Sequence, residues 1–269
     1  MRRLLPFGPM LALALLMTAC VPSETGGTTG FRGGAGSDAH IPLYARVPYQ
    51  PFSREAAIQI AYREWRAFGQ PLVLPHSELP FDNERAEGLW QRVGDYWWEG
   101  LPLGNPDQGF TGMHNQNGRV FPAAEDENFA WSAAFIDYVM RIAGAGRRFP
   151  YSSTHSDYIN EARRNPGSWV VTAYPPESYA PQRGDLICYS RTRQPIRYAD
   201  LPTGRFPGHC DLVVATRPGV LDVIGGNVDN SVSMKRIPVA ANGTLANPDG
   251  TIVDPDYAWF VVLRVQYDR

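Results

Sequence analysis

From Ser53 onward apolar residues first recur every three or four positions; beyond residue 185 they recur every second one. The first regime predicts helices. SREAAIQIAYREWRAFG carries Ala57, Ile58, Ile60, Ala61, Trp65 and Phe68 at helical spacing, with Ser53 as N-cap and Gly69 closing the last turn. NERAEGLWQRVGDYWWEGL predicts a second helix, with Leu89, Val93 and Trp97 on one face. The segment from Gly104 to Asn128 is rich in turn residues and reads as loop. FAWSAAFIDYVMRIAG, residues 129–144, is apolar almost all round and therefore reads as the central buried helix. Asp126 or Asn128 is placed to cap it, and Gly144 to Gly146 end it. THSDYINEARR predicts a short helix after Thr154.

The second regime predicts strands: RGDLICYS, GHCDLVVATR, VLDVIGGN, SVSMKRIPV and YAWFVVLRVQY. Turn signals at Arg217-Pro218-Gly219 and from Asn227 through Asn230 separate several of them. The long polar link from Arg191 to Pro207 reads as a surface excursion. Helices first, then an antiparallel meander, give an α+β domain with no internal repeat.

The N-terminus changes this picture. Arg2 and Arg3 precede an apolar run from Leu4 to Met17, too short to span a bilayer comfortably, and Thr18-Ala19-Cys20 follows. We read residues 1–19 as a secretory signal peptide of lipoprotein type, with Cys20 lipidated; the Leu-Met-Thr-Ala-Cys ending resembles a bacterial lipobox. The competing reading is ordinary cleavage with Cys20 incidental. Residues 20–41, rich in Gly, Ser and Thr, read as a flexible tether with a reach on the order of 25 Å. Val21 after the cysteine, rather than Asp, resembles the sorting pattern for the outer membrane of Gram-negative bacteria, which implies a domain in the cell envelope facing the periplasm. Residues 42–269 make one domain of ordinary size.

Charge is nearly balanced, 25 Lys and Arg against 27 Asp and Glu, and no basic stripe occurs, so nucleic acid is not an expected partner. No cofactor is expected. Setting Cys20 aside leaves Cys188 and Cys210, an even pair in an exported, oxidising setting, hence a disulfide. A catalytic thiol is the sharper alternative, but neighbouring strand residues face opposite ways, so His209 is badly placed to serve Cys210. A zinc site lacks ligands, and no metal is expected.

Three pieces suggest one site. Ser132 lies in the first turn of the buried helix, His209 opens a strand, and Asn227 ends the next strand. A nucleophile at a helix N-terminus gains from the helix dipole, a base can face it from a strand, and an amide can hold the far ring nitrogen. Trp131-Ser132-Ala133-Ala134-Phe135, Gly184-Asp185, Gly208-His209 and Asn227, in that order, resemble the papain-like superfamily of bacterial cell-wall hydrolases, the NlpC and CHAP types. The resemblance covers about residues 50–267. The chain also looks like an uncharacterised bacterial family of that superfamily in which Trp-Ser-Ala-Ala-Phe-Ile, Gly-Asp-Leu and Gly-Gly-Asn-Val recur. The resemblance implies N-terminal helices on an antiparallel sheet or half-barrel, and an amidase or endopeptidase site of Ser132, His209 and Asn227 acting on peptidoglycan stem peptides.

The departure is the nucleophile, since hydrolytic members use Cys. A thiolate can form beside His before substrate arrives; a serine must lose its proton during attack. Three readings of Ser132 stay open: a working nucleophile with His209 as base, a silent site whose groove only binds cell-wall peptide, or a small helix residue beside a structural histidine. Trp131, His155, Asp211 and Asp229 are further candidates for the groove or its support: His155 as a second base or helix-start residue, Asp211 on the same strand face as His209, Asp229 as a reserve orienter. Asp185 reads as a turn-fixing residue, and Glu64 as a structural helix residue. His40, His76 and His114 show no ligand spacing. Two further classes remain: an acyl-chain enzyme, for which a long apolar insertion is expected and not seen, and an interaction lipoprotein without a groove.

Overall fold

The computed structural model describes residues 50–73 and 83–268. The segments read above as a signal peptide and a tether, with Cys20, and also His40 and His76, lie outside the described residues. Helix α1 spans Arg54–Ala67, α2 Leu89–Gly100, α3 Ser132–Ile142 and α4 His155–Arg164. Strands are β1 (Leu72–Val73), β2 (Val171–Tyr174), β3 (Leu186–Ser190), β4 (Gly208–Arg217), β5 (Val220–Val228), β6 (Ser231–Pro238) and β7 (Trp259–Val265). They form one mixed sheet in the order β1-β6-β5-β4-β3-β7-β2. The domain is α+β.

Sequence chemistry accounts for most of these boundaries. Ser53 caps α1, its Oγ accepting from Ala56 N at 3.2 Å, and Gly69 closes the helix at φ 82°. The second helix begins at Leu89 rather than in the Asn83 region, because Gly88 at φ 83° breaks the helical path. Neither Asp126 nor Asn128 caps α3: Asp126 is bound by Arg85 at 2.6 Å, and the first turn of α3 has no side-chain cap among the described residues. Every residue from Ser132 to Met140 is buried, as the all-round apolar pattern requires.

The antiparallel meander from β3 to β6 is present, and β7 lies antiparallel to both β3 and β2. Two strands go beyond the sequence reading. β1 pairs parallel to β6 over only two residues, and β2 joins the edge beyond β7. Residues of alternate parity divide between two apolar clusters. Cys188, Cys210, Leu212 and Val214 join the core beneath the helices, while Ile187, Val213, Val223 and Trp259 form a second cluster. Cys188 and Cys210 are directly opposite in register and form a disulfide between β3 and β4. The Arg191–Pro207 link is a surface excursion anchored by buried Leu201 and Phe206.

Two adjacent glycines seat the helices against the sheet. A Cβ on Gly226 would meet Phe135 at 2.5 Å and Trp131 at 2.6 Å; one on Gly225 would meet Asp211 Oδ1 at 1.9 Å and His209 Nε2 at 2.8 Å. Side chains from α3 and its N-terminal flank on one face, and from the neighbouring strand β4 on the other, occupy the space that a residue with Cβ would need.

Candidate functional site

Ser132 is the first residue of α3 and His155 the first residue of α4. Ser132 Oγ lies 2.7 Å from His155 Nε2, and the Tyr158 hydroxyl meets His155 Nδ1 from one helical turn on. Both side chains line a pocket of about 420 Å³ with Ala133, Ser153, Arg191, Arg205 and Phe206. Burial is the main cause that holds the His155 imidazole well below its ordinary 6.5, with the Arg191 charge adding to it. The ring is therefore neutral at physiological pH. In the tautomer whose Nδ1–H is donated to the Tyr158 oxygen, the Nε2 lone pair faces the Ser132 hydroxyl.

The approach of the two helices is set by a buried carboxyl. Asp137, one and a half turns along α3 from Ser132, accepts Ser152 N at 2.8 Å on Oδ2. Ser152 Oγ then donates to Asp157 at 2.8 Å and accepts Thr154 N at 3.2 Å. This fixes the entry to α4, and hence His155. Burial pushes the Asp137 carboxyl well above the usual carboxylate range.

His209 has a different set of partners from those expected. Its Nε2 lies 3.0 Å from Asp211 Oδ1 and its Nδ1 3.0 Å from Arg191 Nη2. A guanidinium only donates, so Nδ1 accepts and the ring proton sits on Nε2, donated to Asp211. Both nitrogens are used, and Ser132 is served by His155 rather than His209. The His155 and His209 ring centroids are 5.4 Å apart, so His209 stands behind the Ser132–His155 pair. Burial drives the His209 imidazole down to about 4. Burial would raise Asp211, but the Lys235 ammonium and His209 outweigh it and hold that carboxyl well below the carboxylate range. Lys235 Nζ is 2.7 Å from Asp211 Oδ2, out of line for a hydrogen bond, so the contact is an ion pair. The ammonium also sits over the rings of Tyr189, Tyr257 and Trp259, 5.2, 4.7 and 5.6 Å from their centroids.

The remaining candidates separate clearly. Asn227 sits at φ 53° in the irregular stretch of β5 and makes no side-chain hydrogen bond to His209 among the described residues; Asp211 and Arg191 occupy that role. Asp229, exposed at φ 52°, is a turn residue. Trp131 is buried beneath the pocket instead of lining it, its indole N–H donating to Glu84 Oε2. Asp185 holds backbone, accepting Val265 N at 2.9 Å and Gln182 N at 2.8 Å. Glu64 is fully buried between Arg63, Arg92 and Tyr96. Among the described residues no group of three His, Cys, Asp or Glu side chains is arranged to hold a metal ion.

Several participants had no place in the sequence reading, Asp137 and Ser152 among them. Tyr158 carried a usable sign, since it lies three residues after His155 and shares its helix face. Lys235 alternates with Ser231 and Ser233 along a strand that is buried throughout that stretch. Arg191 gives no local sign, because a fold back across β4 brings it to His209.

Fold and site together define an α+β domain with a serine–histidine pair at the floor of an open pocket. Residues 84–265 match the family described as an uncharacterized protein conserved in bacteria (DUF2272), a bacterial domain of unknown function. The match covers well over half of the chain, and the chain belongs to that family. No curated protein and no solved structure matches it.

Proposed function

We propose that this protein is a hydrolase of the bacterial cell envelope, carried on a lipid anchor at Cys20, that cleaves an amide or ester bond through Ser132. The observation that carries the chemistry is the 2.7 Å contact between Ser132 Oγ and His155 Nε2 in a pocket. Ser132 Oγ attacks the carbonyl carbon while its proton passes to His155 Nε2. The oxyanion is met by backbone N–H groups of the uncapped first turn of α3, at Ser132 and Ala133. Collapse of the tetrahedral intermediate breaks the bond to the leaving amine or alcohol, which takes the proton from His155. Water then attacks the acyl-serine, giving a proton to His155; the bond from the acyl carbon to Ser132 Oγ breaks, His155 returns the proton to Oγ, and the carboxylic acid leaves. Tyr158 and, at one remove, Asp137 are positioning residues. A tyrosine behind the histidine stabilises the imidazolium less than a carboxylate does, which suits slow turnover.

The papain-like reading of the fold rests on the motif order Trp131-Ser132, Gly184-Asp185, Gly208-His209, and on a buried helix placed against antiparallel strands. By the same resemblance the substrate is the peptidoglycan stem peptide. The outer-membrane address rests on the Cys20-Val21 pattern. The second reading, a peptide-binding site without turnover, draws on His155: its partner is Tyr158, where a hydrolase triad commonly has an acid or amide.

A fluorophosphonate that acylates activated serines tests the chemistry, and isolated peptidoglycan tests the substrate. Stoichiometric labelling at Ser132, lost in Ser132→Ala and His155→Gln, together with soluble fragments released from peptidoglycan, supports the proposal. No labelling, with retention of the protein on peptidoglycan, selects the binding reading.

A further inference from the structure

Arg191 lies on the wall of the Ser132 pocket, and the way it is held is unusual. Its backbone N–H donates to Pro207 O at 2.9 Å, which places it beside the start of β4. Its guanidinium donates to His209 Nδ1 at 3.0 Å and makes no ion pair among the described residues. The other cation on the wall, Arg205, is engaged by Asp157 through two contacts of 2.9 and 2.6 Å, and Glu127, the one carboxylate on the wall, pairs with neither. Arg191 therefore presents an uncompensated positive charge with free N–H groups to the pocket.

Behind it stands a buried relay. His209, Asp211 and Lys235 have almost no exposure, at 0, 0 and 2 %. Burying such charges is expensive and adds little net stability compared with an apolar replacement. What the relay does achieve is geometric. Lys235 fixes Asp211 as an anion, Asp211 fixes the His209 proton on Nε2, and His209 turns a lone pair toward Arg191. A neutral acceptor orients the guanidinium without quenching its charge, which a carboxylate in the same place would do.

We infer that Arg191 is a specificity-determining residue that binds a carboxylate of the substrate, and that His209, Asp211 and Lys235 form the seat that aims it. Ser132 and Arg191 line the same pocket and are joined by a short chain of contacts: Ser132 to His155 at 2.7 Å, the two imidazole centroids 5.4 Å apart, and His209 to the guanidinium at 3.0 Å. The substrate class is an acyl compound with a carboxylate a few bonds from the scissile carbonyl, as in an acidic peptide. For the position of that carbonyl the inference rests on Ser132 as the nucleophile; the anion site stands on Arg191 alone.

The test pairs rate with binding. Hydrolysis of mono(4-nitrophenyl) glutarate is compared with that of 4-nitrophenyl pentanoate, which has the same acyl length and no charge, in wild type and Arg191→Gln. Binding of monomethyl glutarate and dimethyl glutarate to Ser132→Ala, with and without Arg191→Gln, is followed by NMR titration. The expected result is a kcat/KM preference for the anionic ester that falls at least tenfold in Arg191→Gln. His209→Ala shifts the ratio in the same direction, because the guanidinium loses its seat. Equal rates for both esters in wild type, or a glutamine variant that slows both alike, overturn the inference and leave the nucleophile assignment standing. If neither ester is cut but monomethyl glutarate binds selectively and loses that selectivity in Arg191→Gln, the anion site stands and turnover falls. Loss of both turnover and selective binding overturns the inference.

Discussion

Ser132 and His155 each open a helix, and the two helix starts converge so that hydroxyl and imidazole are 2.7 Å apart. The contact joins residues 23 positions apart, and a third helix residue, Asp137, sets the distance between their elements through Ser152. Replacing Asp137 by Ala removes the acceptor for Ser152 N and loosens the entry to α4. Fluorophosphonate labelling of Ser132 is expected to slow about tenfold or more in Asp137→Ala and to recover in Asp137→Asn, whose amide oxygen can still accept. Equal labelling rates in wild type and Asp137→Ala would show that the pair is held by other means.

The base must be neutral to accept the serine proton, and burial lowers the His155 pKa below its ordinary 6.5. Its unprotonated form therefore persists into more acidic solution. The rate of Ser132 labelling plotted against pH should keep its plateau through 6.5 and fall only below it. An acid limb centred at or above 6.5 would contradict a buried base.

His209 is neutral in the fold, with its pKa down at about 4 from 6.5. The folded state is therefore favoured fully above pH 6.5, and that contribution is lost as pH falls toward 4, where the unfolded chain binds the proton more readily. The difference amounts to roughly 3 kcal/mol. Glu84 titrates in the opposite sense over this window, so the loss is read in its absence: urea midpoints between pH 7 and 4 should drop further in Glu84→Gln than in Glu84→Gln/His209→Gln. Parallel curves for the two variants would exclude a neutral buried His209.

Glu84 is pushed up to about 7, chiefly by burial, while it accepts the Trp131 indole N–H. Its raised value makes the neutral acid the favoured folded form, so this contribution is full below 4.5 and is lost as pH rises through about 7. A fluorescence change centred near pH 7 that disappears in Glu84→Gln is the expected signature; a titration that survives the substitution would belong to another group.

Gly225→Ala drives a methyl against Asp211 Oδ1 and His209 Nε2, which are themselves buried and pinned. A loss of about 2–4 kcal/mol in unfolding free energy is expected from such overpacking and disrupted pairing. Reduction of Cys188–Cys210, which closes a separation of 22 residues, should cost about 3 kcal/mol on the chain-entropy account. Denaturant melts of the alanine variant and of the reduced protein measure both.

Much of the domain could be read from local pattern. GHCDLVVATR marks β4 from Gly208 to Arg217, and the all-round apolar run marks the burial of α3. β1 and β2 left no comparable trace. One has two residues, and the other pairs only with β7, some ninety positions later, so the reason for its extended form lies far along the chain. The site divides the same way. The position of Ser132 at a helix start was legible in the all-round apolar run, and the Cys188–Cys210 disulfide in the even pair left once Cys20 is set aside. The choice between His155 and His209 was not. Either histidine type suits a base, and only the three-dimensional course of the Ser152–His155 segment decides which ring meets the hydroxyl. Asn227 was assigned to orient an imidazole whose nitrogens Asp211 and Arg191 already occupy.

The place of β7 in the sheet has a consequence for how the domain closes. β7 is not at an edge: it lies between β3 and β2, and the segment after it is tied back to the residues just before α1 by Asp268 and Phe52, which exchange hydrogen bonds of 2.7 and 2.9 Å. Without residues 259–265, one side of β3 is unpaired and β2 has no strand partner among the described residues. Helices can form from local sequence, but this side of the sheet closes only through pairings between segments far apart in the chain, whose loop-closure entropy must be met before the contacts reward it.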